Sequence, residues 1–329
     1  MLAKLICPTC RRELVQEPSG WNCPACQRLY PYRAGVLSFL DDGQSFNPTS
    51  YVDKQEAAWS ESAQLRDKIR KSPLLTFMNE TRIRFSFSGR RDRIFFNEMR
   101  GGNPKKLILD LGCGGGRHYF TNYGQVVGID PVMDLLQISK TMYPEVYHGS
   151  ATEMPFADES FDYVVSSDVI GHIPWDIKDK MFAEIHRVLK KGGRTVHMAE
   201  TDGTNVWFRF AHKYPDLFNK YLVDKPGHIS LELPTKLRER FLKHGFKEIK
   251  FKRISANVQE CGMINSMFGN EFATKSLGMR CLIGVDWLLS RSMVVKELIN
   301  FLLEPLGQID DLLTPLDDAA GGLVIYEKQ

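Results

Sequence analysis

The stretch "DLGCGGGRHYF", residues 110–120, decides how the rest of the chain is read. Its glycines stand at 112, 114, 115 and 116, just after an apolar run, "KLILDL", that reads as a buried strand. A turn without Cβ atoms lets a ligand lie close against the backbone. Such turns commonly cradle an anion, yet here an aspartate, Asp110, opens the run. A dinucleotide turn needs Gly-x-Gly-x-x-Gly facing a pyrophosphate, and the position that would complete it is Arg117. A carboxylate at the strand end repels a pyrophosphate and attracts a cation.

S-adenosylmethionine carries a sulfonium and an ammonium group and no phosphate, so it suits this acidic turn better than a dinucleotide does. A second acid follows at a fitting distance. Asp130 ends "QVVGID", 20 residues after Asp110, where a carboxylate can accept both ribose hydroxyls. From residue 106 onward, buried-strand runs alternate with helical patterns, the mark of a parallel sheet with crossover helices. Strands are predicted at "KLILDLG", "QVVGID", "VYHGSA", "FDYVVSSD", "GRTVHMAE", "KEIKFKRIS" and "GGLVIYEK". Helices are predicted at "DIKDKMFAEIHRVLKKGG", with Lys-Lys-Gly-Gly as its stop, and at "LPTKLRERFLKHGF".

In their order, "LDLGCGGGRH", "VVGID", "GSATEMPFADESFDYVVSSDVIGHI" and "EIHRVLKKGGR" resemble the successive motifs of class I S-adenosylmethionine-dependent methyltransferases. The resemblance covers residues 106–200 and points to the large group typified by quinone-biosynthesis enzymes. It implies an α/β fold with a Rossmann-like, seven-stranded methyltransferase sheet. It also implies that Asp110, Gly112 and Gly114 line the methionine and ribose portion of the cofactor, that Asp130 holds the ribose, and that Ser167 lies beside the methionine tail. Ser150 stands where the family usually has an aspartate that accepts from the adenine amine, and Ala151 follows as family-like packing.

Methyl transfer is an in-line displacement that needs alignment of acceptor and methyl group, and removal of a proton where the acceptor is a hydroxyl. "SSDVIGHI" offers Asp168 and His172, each a candidate base or a residue that shapes the pocket. The family often has two adjacent histidines here, and Gly171 replaces the first. His228, in "KPGHISLELPTKL", resembles the Gly-His lead-in of many small-molecule methyltransferases and is a candidate base or a loop anchor. Enzymes that methylate the adenine amine carry Asn/Asp-Pro-Pro-Tyr/Phe after the fourth strand; "SSDV" stands there instead.

Two insertions are expected to form the acceptor site: the aromatic, basic stretch from Trp207 to Leu222, and a helical cap over residues 255–319, with extra core or a dimer contact as the other reading of the latter. Tyr51 and Trp59 resemble a segment that closes over the cofactor in relatives. Arginines and lysines between 82 and 106, interleaved with Phe85, Phe87, Phe95 and Phe96, form a stripe that RNA could use. The same spacing is also that of a solvated helix face over core.

Near the start, Cys7, Cys10, Cys23 and Cys26 form two Cys-x-x-Cys pairs. Four soft sulfur ligands on two tight turns match tetrahedral zinc, and four thiolates leave no open position, so the expected metal is structural. With "YPYRAGVLSFL" after them, they resemble the zinc ribbon related to the small activator protein of tRNA methyltransferases, a docking or stabilising unit without chemistry of its own. Cys113, Cys261 and Cys281 are expected to be free thiols.

The chain has 329 residues and a net charge of +3, a balance that selects no partner by itself. With no secretory pattern and no long apolar run, it reads as cytoplasmic and without a membrane span. The expected organisation is a zinc ribbon (1–46), a helical linker or lid (47–105) and a methyltransferase domain (106–329). The leading functional expectation is methyl transfer from S-adenosylmethionine to a small-molecule acceptor, most simply a hydroxyl of a sugar, lipid-linked or secondary-metabolite scaffold. An rRNA or tRNA base methyltransferase and a non-catalytic cofactor- or partner-binding module are the alternatives. Oligomeric state has no signature in the sequence.

Overall fold

The predicted strands all form, and they do so within one sheet. The computed structural model describes residues 2–41, 72–99, 103, 105–254 and 256–329. Its early strands are β1 (Val15–Glu17), β2 (Gly20–Asn22), β3 (Leu29–Arg33) and β4 (Val36–Ser38). Then come β5 (Leu107–Leu111), β6 (Gln125–Asp130), β7 (Glu145–His148), β8 (Phe161–Ser167), β9 (Leu189–Glu200), β10 (Phe246–Ile254) and β11 (Gly321–Lys328). The order across the sheet is β1-β2-β3-β4-β7-β6-β5-β8-β9-β11-β10.

Strands β4 to β9 pair in parallel through β7, β6, β5 and β8, while β11 runs antiparallel between β9 and β10. Central parallel strands are covered on both faces, which is why β5 and β6 read as unbroken apolar runs. Ile108, Leu109, Val126 and Val127 are fully buried. The chain reverses its strand order at β5, and in open α/β sheets ligands bind beyond the carboxyl ends of the strands at such a switch point. The glycine turn follows β5 at that place.

The seven-stranded expectation is exceeded because the N-terminal unit does not stand apart from the sheet. Strand β4 pairs in parallel with β7, Leu37 opposite Tyr147 and Ser38 opposite His148. Leu5, Leu37 and Phe39 share one apolar core with Val127, Tyr147 and Phe156. The pairing covers the edge of β7 that a seven-strand sheet would leave open.

A second difference lies at the end of the helix Trp175–Val188. It stops at Val188, and the Leu-Lys-Lys-Gly-Gly expected as a helical stop belongs to β9. Buried Leu189 pairs with Phe161 of β8, so sheet pairing takes the chain one turn earlier than local propensity indicates.

Before β5, the described residues form the helices Pro73–Phe85 and Arg90–Met99. Phe95 is buried and packs edge-on against Phe120, with ring centroids 5.7 Å apart. Between β10 and β11, the main helices are Leu277–Ser290 and Met293–Leu313. On Met293–Leu313 the buried side chains are the polar Asn300, Glu304 and Asp311 while most apolar ones face outward, the reverse of an ordinary core helix; on Leu277–Ser290 Asp286 is buried beside Met279 and Ile283. The inward polar groups are used by backbone: Asp286 accepts from the amides of Gly262 and Asn265, and Asn300 accepts from that of Cys261. Leu277, Val294, Leu302 and Leu313 are 70% or more exposed.

Candidate active site

A cleft of roughly 720 Å³ opens at the carboxyl ends of β5, β6, β7, β8 and β9. One end of it is made by the glycine turn. Gly112, Gly114 and Gly116 have φ of +63°, +48° and +78°, a region that side chains disfavour. A Cβ at Gly112 would lie 2.5 Å from Val169 Cγ2, so that position has no room for any other residue. The amides of Gly112 and Cys113 both donate to Ile129 O of β6, which holds the turn tightly against the next strand.

Asp110 lies at the floor of the cleft, 3% exposed, where its Oδ2 accepts from the Tyr143 hydroxyl at 2.6 Å. Burial raises its pKa to about 7, against the opposing pull of Tyr143 and Arg117. Asp130 accepts from the amides of Gly114 and Val132, both at 2.8 Å, one on each carboxylate oxygen. Its pKa is also raised by burial, to about 6. Each carboxylate oxygen has a second lone pair, so these bonds orient Asp130 without exhausting its capacity to accept from a ligand.

Ser150 and Ala151 line the cleft beyond Asp130, and the Ser150 hydroxyl is 2.8 Å from that of Thr152. On the opposite wall, Ser167 accepts from Arg117 at 2.8 Å and Asp168 forms an ion pair with the same guanidinium at 3.7 Å. Asp168 has φ +60°, a strained conformation for a residue with a side chain, and it is held by its amide donating to Met198 O. Tyr143 and Arg117, which sequence reading did not assign to the site, thus bridge its floor and wall.

The other end of the cleft is lined by His172, His228 and Glu200. Glu200 was missed from sequence; its only signal is an acid at the final position of a parallel strand, "HMAE". The Nδ1 of His172 donates to Gly227 O and that of His228 to Leu222 O, both at 2.8 Å. His228 Nε2 lies 2.5 Å from Glu200 Oε2, and the two imidazole rings are 5.0 Å apart. Burial pushes both histidines down; for His228 the Glu200 carboxylate reverses this and its pKa is raised, whereas that of His172 stays lowered. None of the described residues of 256–319 lines the cleft, so the expected cap is not brought to it. The segment 264–283 packs instead on 206–224, where Phe268, Phe272, Met279 and Ile283 join Ala211 and Leu222 in a separate apolar cluster.

Some sequence candidates lie elsewhere. Tyr51, Trp59, Arg100 and the side chains of Arg90, Arg91 and Phe96 fall outside the described residues. Within the basic segment, Arg93 pairs with Glu304, Lys106 donates to the Tyr163 hydroxyl, and Phe87 and Phe95 are buried.

Cys7, Cys10, Cys23 and Cys26, none of which lines the cleft, converge with their sulfurs within 4.8 Å of one another and none in a disulfide. Sulfur separations of 3.6, 3.4 and 3.8 Å for Cys7–Cys26, Cys10–Cys23 and Cys10–Cys26 compare with about 3.8 Å for the edge of a zinc–sulfur tetrahedron with bonds of about 2.3 Å. The two turns are alike: Arg11 N donates to Cys7 O and Gln27 N to Cys23 O, both at 2.8 Å, and Arg11 and Gln27 have φ of +63° and +57°. The set fits a closed tetrahedral metal site.

A family model described as a methyltransferase domain matches residues 109–197, the span from β5 through most of β9. The demethylmenaquinone methyltransferase of Alkalihalophilus pseudofirmus is 28% identical over 182 residues, 47% of this chain and 76% of that protein. The one from Lysinibacillus sphaericus is 35% identical over 100 residues, 28% of this chain and 42% of its own length. Among solved structures, phosphoethanolamine N-methyltransferase 2 of Haemonchus contortus, in complex with S-adenosyl-L-methionine, has a TM-score of 0.42 and 21% identity, covering 73% of this chain and 53% of that one. The chain carries a class I S-adenosylmethionine-dependent methyltransferase domain, with relatives among the menaquinone methyltransferases. It is an S-adenosylmethionine-dependent methyltransferase. Among the described residues no helix is long and apolar enough to cross a membrane.

Proposed function

We propose that this enzyme methylates a small-molecule acceptor, most simply at a hydroxyl of a sugar, lipid-linked or secondary-metabolite scaffold. The observation that carries the proposal is one cleft with a cationic-ligand end at Asp110 and Asp130 and a histidine-lined end at His172 and His228. Asp110, Gly112 and Gly114 receive the methionine and ribose portion of the cofactor, Asp130 the ribose hydroxyls, Ser150 and Ala151 the adenine, and Ser167 the methionine tail. The sulfur–methyl bond breaks as the acceptor oxygen–methyl bond forms, and sulfur keeps the electron pair to give S-adenosylhomocysteine. The hydroxyl proton passes to a base at the acceptor end, for which His172, Asp168 and His228, the last paired with Glu200, are the candidates.

In this reading residues 106–329 carry the chemistry and 47–105 the helical support. Residues 1–46 form a ribbon around a structural zinc held by Cys7, Cys10, Cys23 and Cys26; the metal supplies cross-linking of two turns and no catalysis.

Calorimetric titration of the purified protein with S-adenosylmethionine and S-adenosylhomocysteine tests the cofactor half. Micromolar binding to the wild type, weakened at least about tenfold in Asp130→Ala, is expected from loss of a charge-assisted bond. A folded wild type that binds neither ligand would overturn the reading. Labelled-methyl assays then screen acceptors, with demethylmenaquinone first because the relatives carry its name.

A further inference from the structure

Resting on that reading, we propose that His172, Glu200 and His228 form a second metal site, one that binds a divalent transition-metal ion at the acceptor end of the cleft. Among the described residues two groups of metal-ligating side chains converge: the four cysteines and this trio, whose ligand atoms lie within 4.8 Å of one another. Two imidazoles and one carboxylate on one side of an ion, with the remaining positions open, is the donor set of reactive rather than structural centres.

The surroundings favour ligation over a simple packing role. Metal-bound histidines almost always donate their other ring N–H to a carbonyl or carboxylate, which sets the tautomer. Here both do: His172 Nδ1 to Gly227 O and His228 Nδ1 to Leu222 O. Nε2 is therefore the basic nitrogen of each neutral ring. The two histidines, 56 residues apart, are also clamped by backbone, since the amides of Ile229 and Ser230 donate to Gly171 O at 2.9 and 3.1 Å.

Gly171 packs directly against the second ring. A Cβ there would lie 3.4 Å from the His228 ring and 3.1 Å from Leu231 Cδ2. Where the resembling family places a second histidine next in sequence, this chain has a glycine and brings the second imidazole from a distant loop. The short Glu200–His228 contact of 2.5 Å is the kind of pair that needs a cation between its atoms, a proton or a metal. An ion about 2.1 Å from each ligand needs edges of about 3.4 Å if tetrahedral, so this pair opens by less than an ångström to admit one.

An ion bound by three ligands keeps positions for acceptor oxygens, so the substrate class is one that presents one or two adjacent oxygens to a metal. Coordination lowers the pKa of such a hydroxyl, its proton passes to solvent, and the resulting oxyanion faces the sulfonium methyl.

The test uses the full chain with one zinc per molecule in the cysteine site, titrated with Co2+ while visible absorption is recorded. One further equivalent is expected, with d–d bands of a nitrogen–oxygen site and no thiolate charge-transfer absorption. His172→Ala and Glu200→Gln should each weaken that equivalent by roughly tenfold or more. S-adenosylmethionine binding, measured on every variant, reports whether the protein is folded. Retained cofactor binding with no second equivalent, with cobalt entering only the thiolate site, or with uptake unchanged in both variants overturns the metal proposal and leaves a proton-bridged Glu–His pair. A second equivalent without cofactor binding would instead sustain the metal site and sink the methyltransferase reading.

Discussion

Asp110 is a carboxylic acid buried almost completely at the floor of the cleft. Burial raises it to about 7 and its neighbour Asp130 to about 6. An acid whose native pKa lies above its unfolded value holds extra protons in the native state, so its stabilising effect fades as pH rises. The window runs from about 4, the ordinary aspartate value, to about 7. Melting curves of the cofactor-free protein should therefore show Asp110→Asn gaining on the wild type across that window. A difference between the two that stays constant with pH would mean that the Asp110 pKa is not raised in the native state.

Among the elements, the helix Trp175–Val188 ties the N-terminal unit to the sheet through one residue. Glu184 accepts from Arg11, Arg187 and the amide of Met154. Burial raises its pKa, but Arg187 and Arg11 more than reverse this, so it is lowered. Its contribution is thus present above the ordinary glutamate value and lost as pH falls through the lowered one. Glu184→Ala would leave Arg187, 17% exposed, without its main partner. Removing one member of a buried pair costs about 3–5 kcal/mol, and the half-exposed Arg11 argues for the lower end, about 3 kcal/mol in urea unfolding. Cofactor affinity should be unchanged, because Glu184 does not line the cleft. A loss under about 1 kcal/mol would class the network with surface ion pairs.

For the whole molecule, the pairing of β4 with β7 makes the cysteine unit part of the sheet. Ser38 Oγ meets His148 Nδ1 at 2.8 Å, and His148 Nε2 lies 3.0 Å from Pro131 O, next to Asp130. Leu40 of the same unit lines the cleft. Structural zinc contributes roughly 10–16 kcal/mol of apparent binding energy to small modules. Stripping the metal with a strong chelator should therefore release β4, lower the melting temperature and promote aggregation through the bared edge of β7. Thermal scans and light scattering with and without chelator measure both. Identical curves for a protein shown by elemental analysis to have lost its zinc would mean that sheet pairing alone holds the unit.

The sequence by itself determined what is local. The apolar run "KLILDL", the glycines after it and the acids at 110 and 130 are legible because strand period and positive φ act within a few residues. So are the two cysteine turns. Tertiary structure alone decided the rest. Glu200 joins His172 and His228 only because β9 ends beside two loops that the strand order brings together. Likewise, β4 reaches β7 across more than a hundred residues. The outward apolar faces of Leu277–Ser290 and Met293–Leu313 follow from loop amides that claim Asp286 and Asn300. Such pairings between distant segments leave no periodic trace, since the energy that selects them arises only when the partners meet.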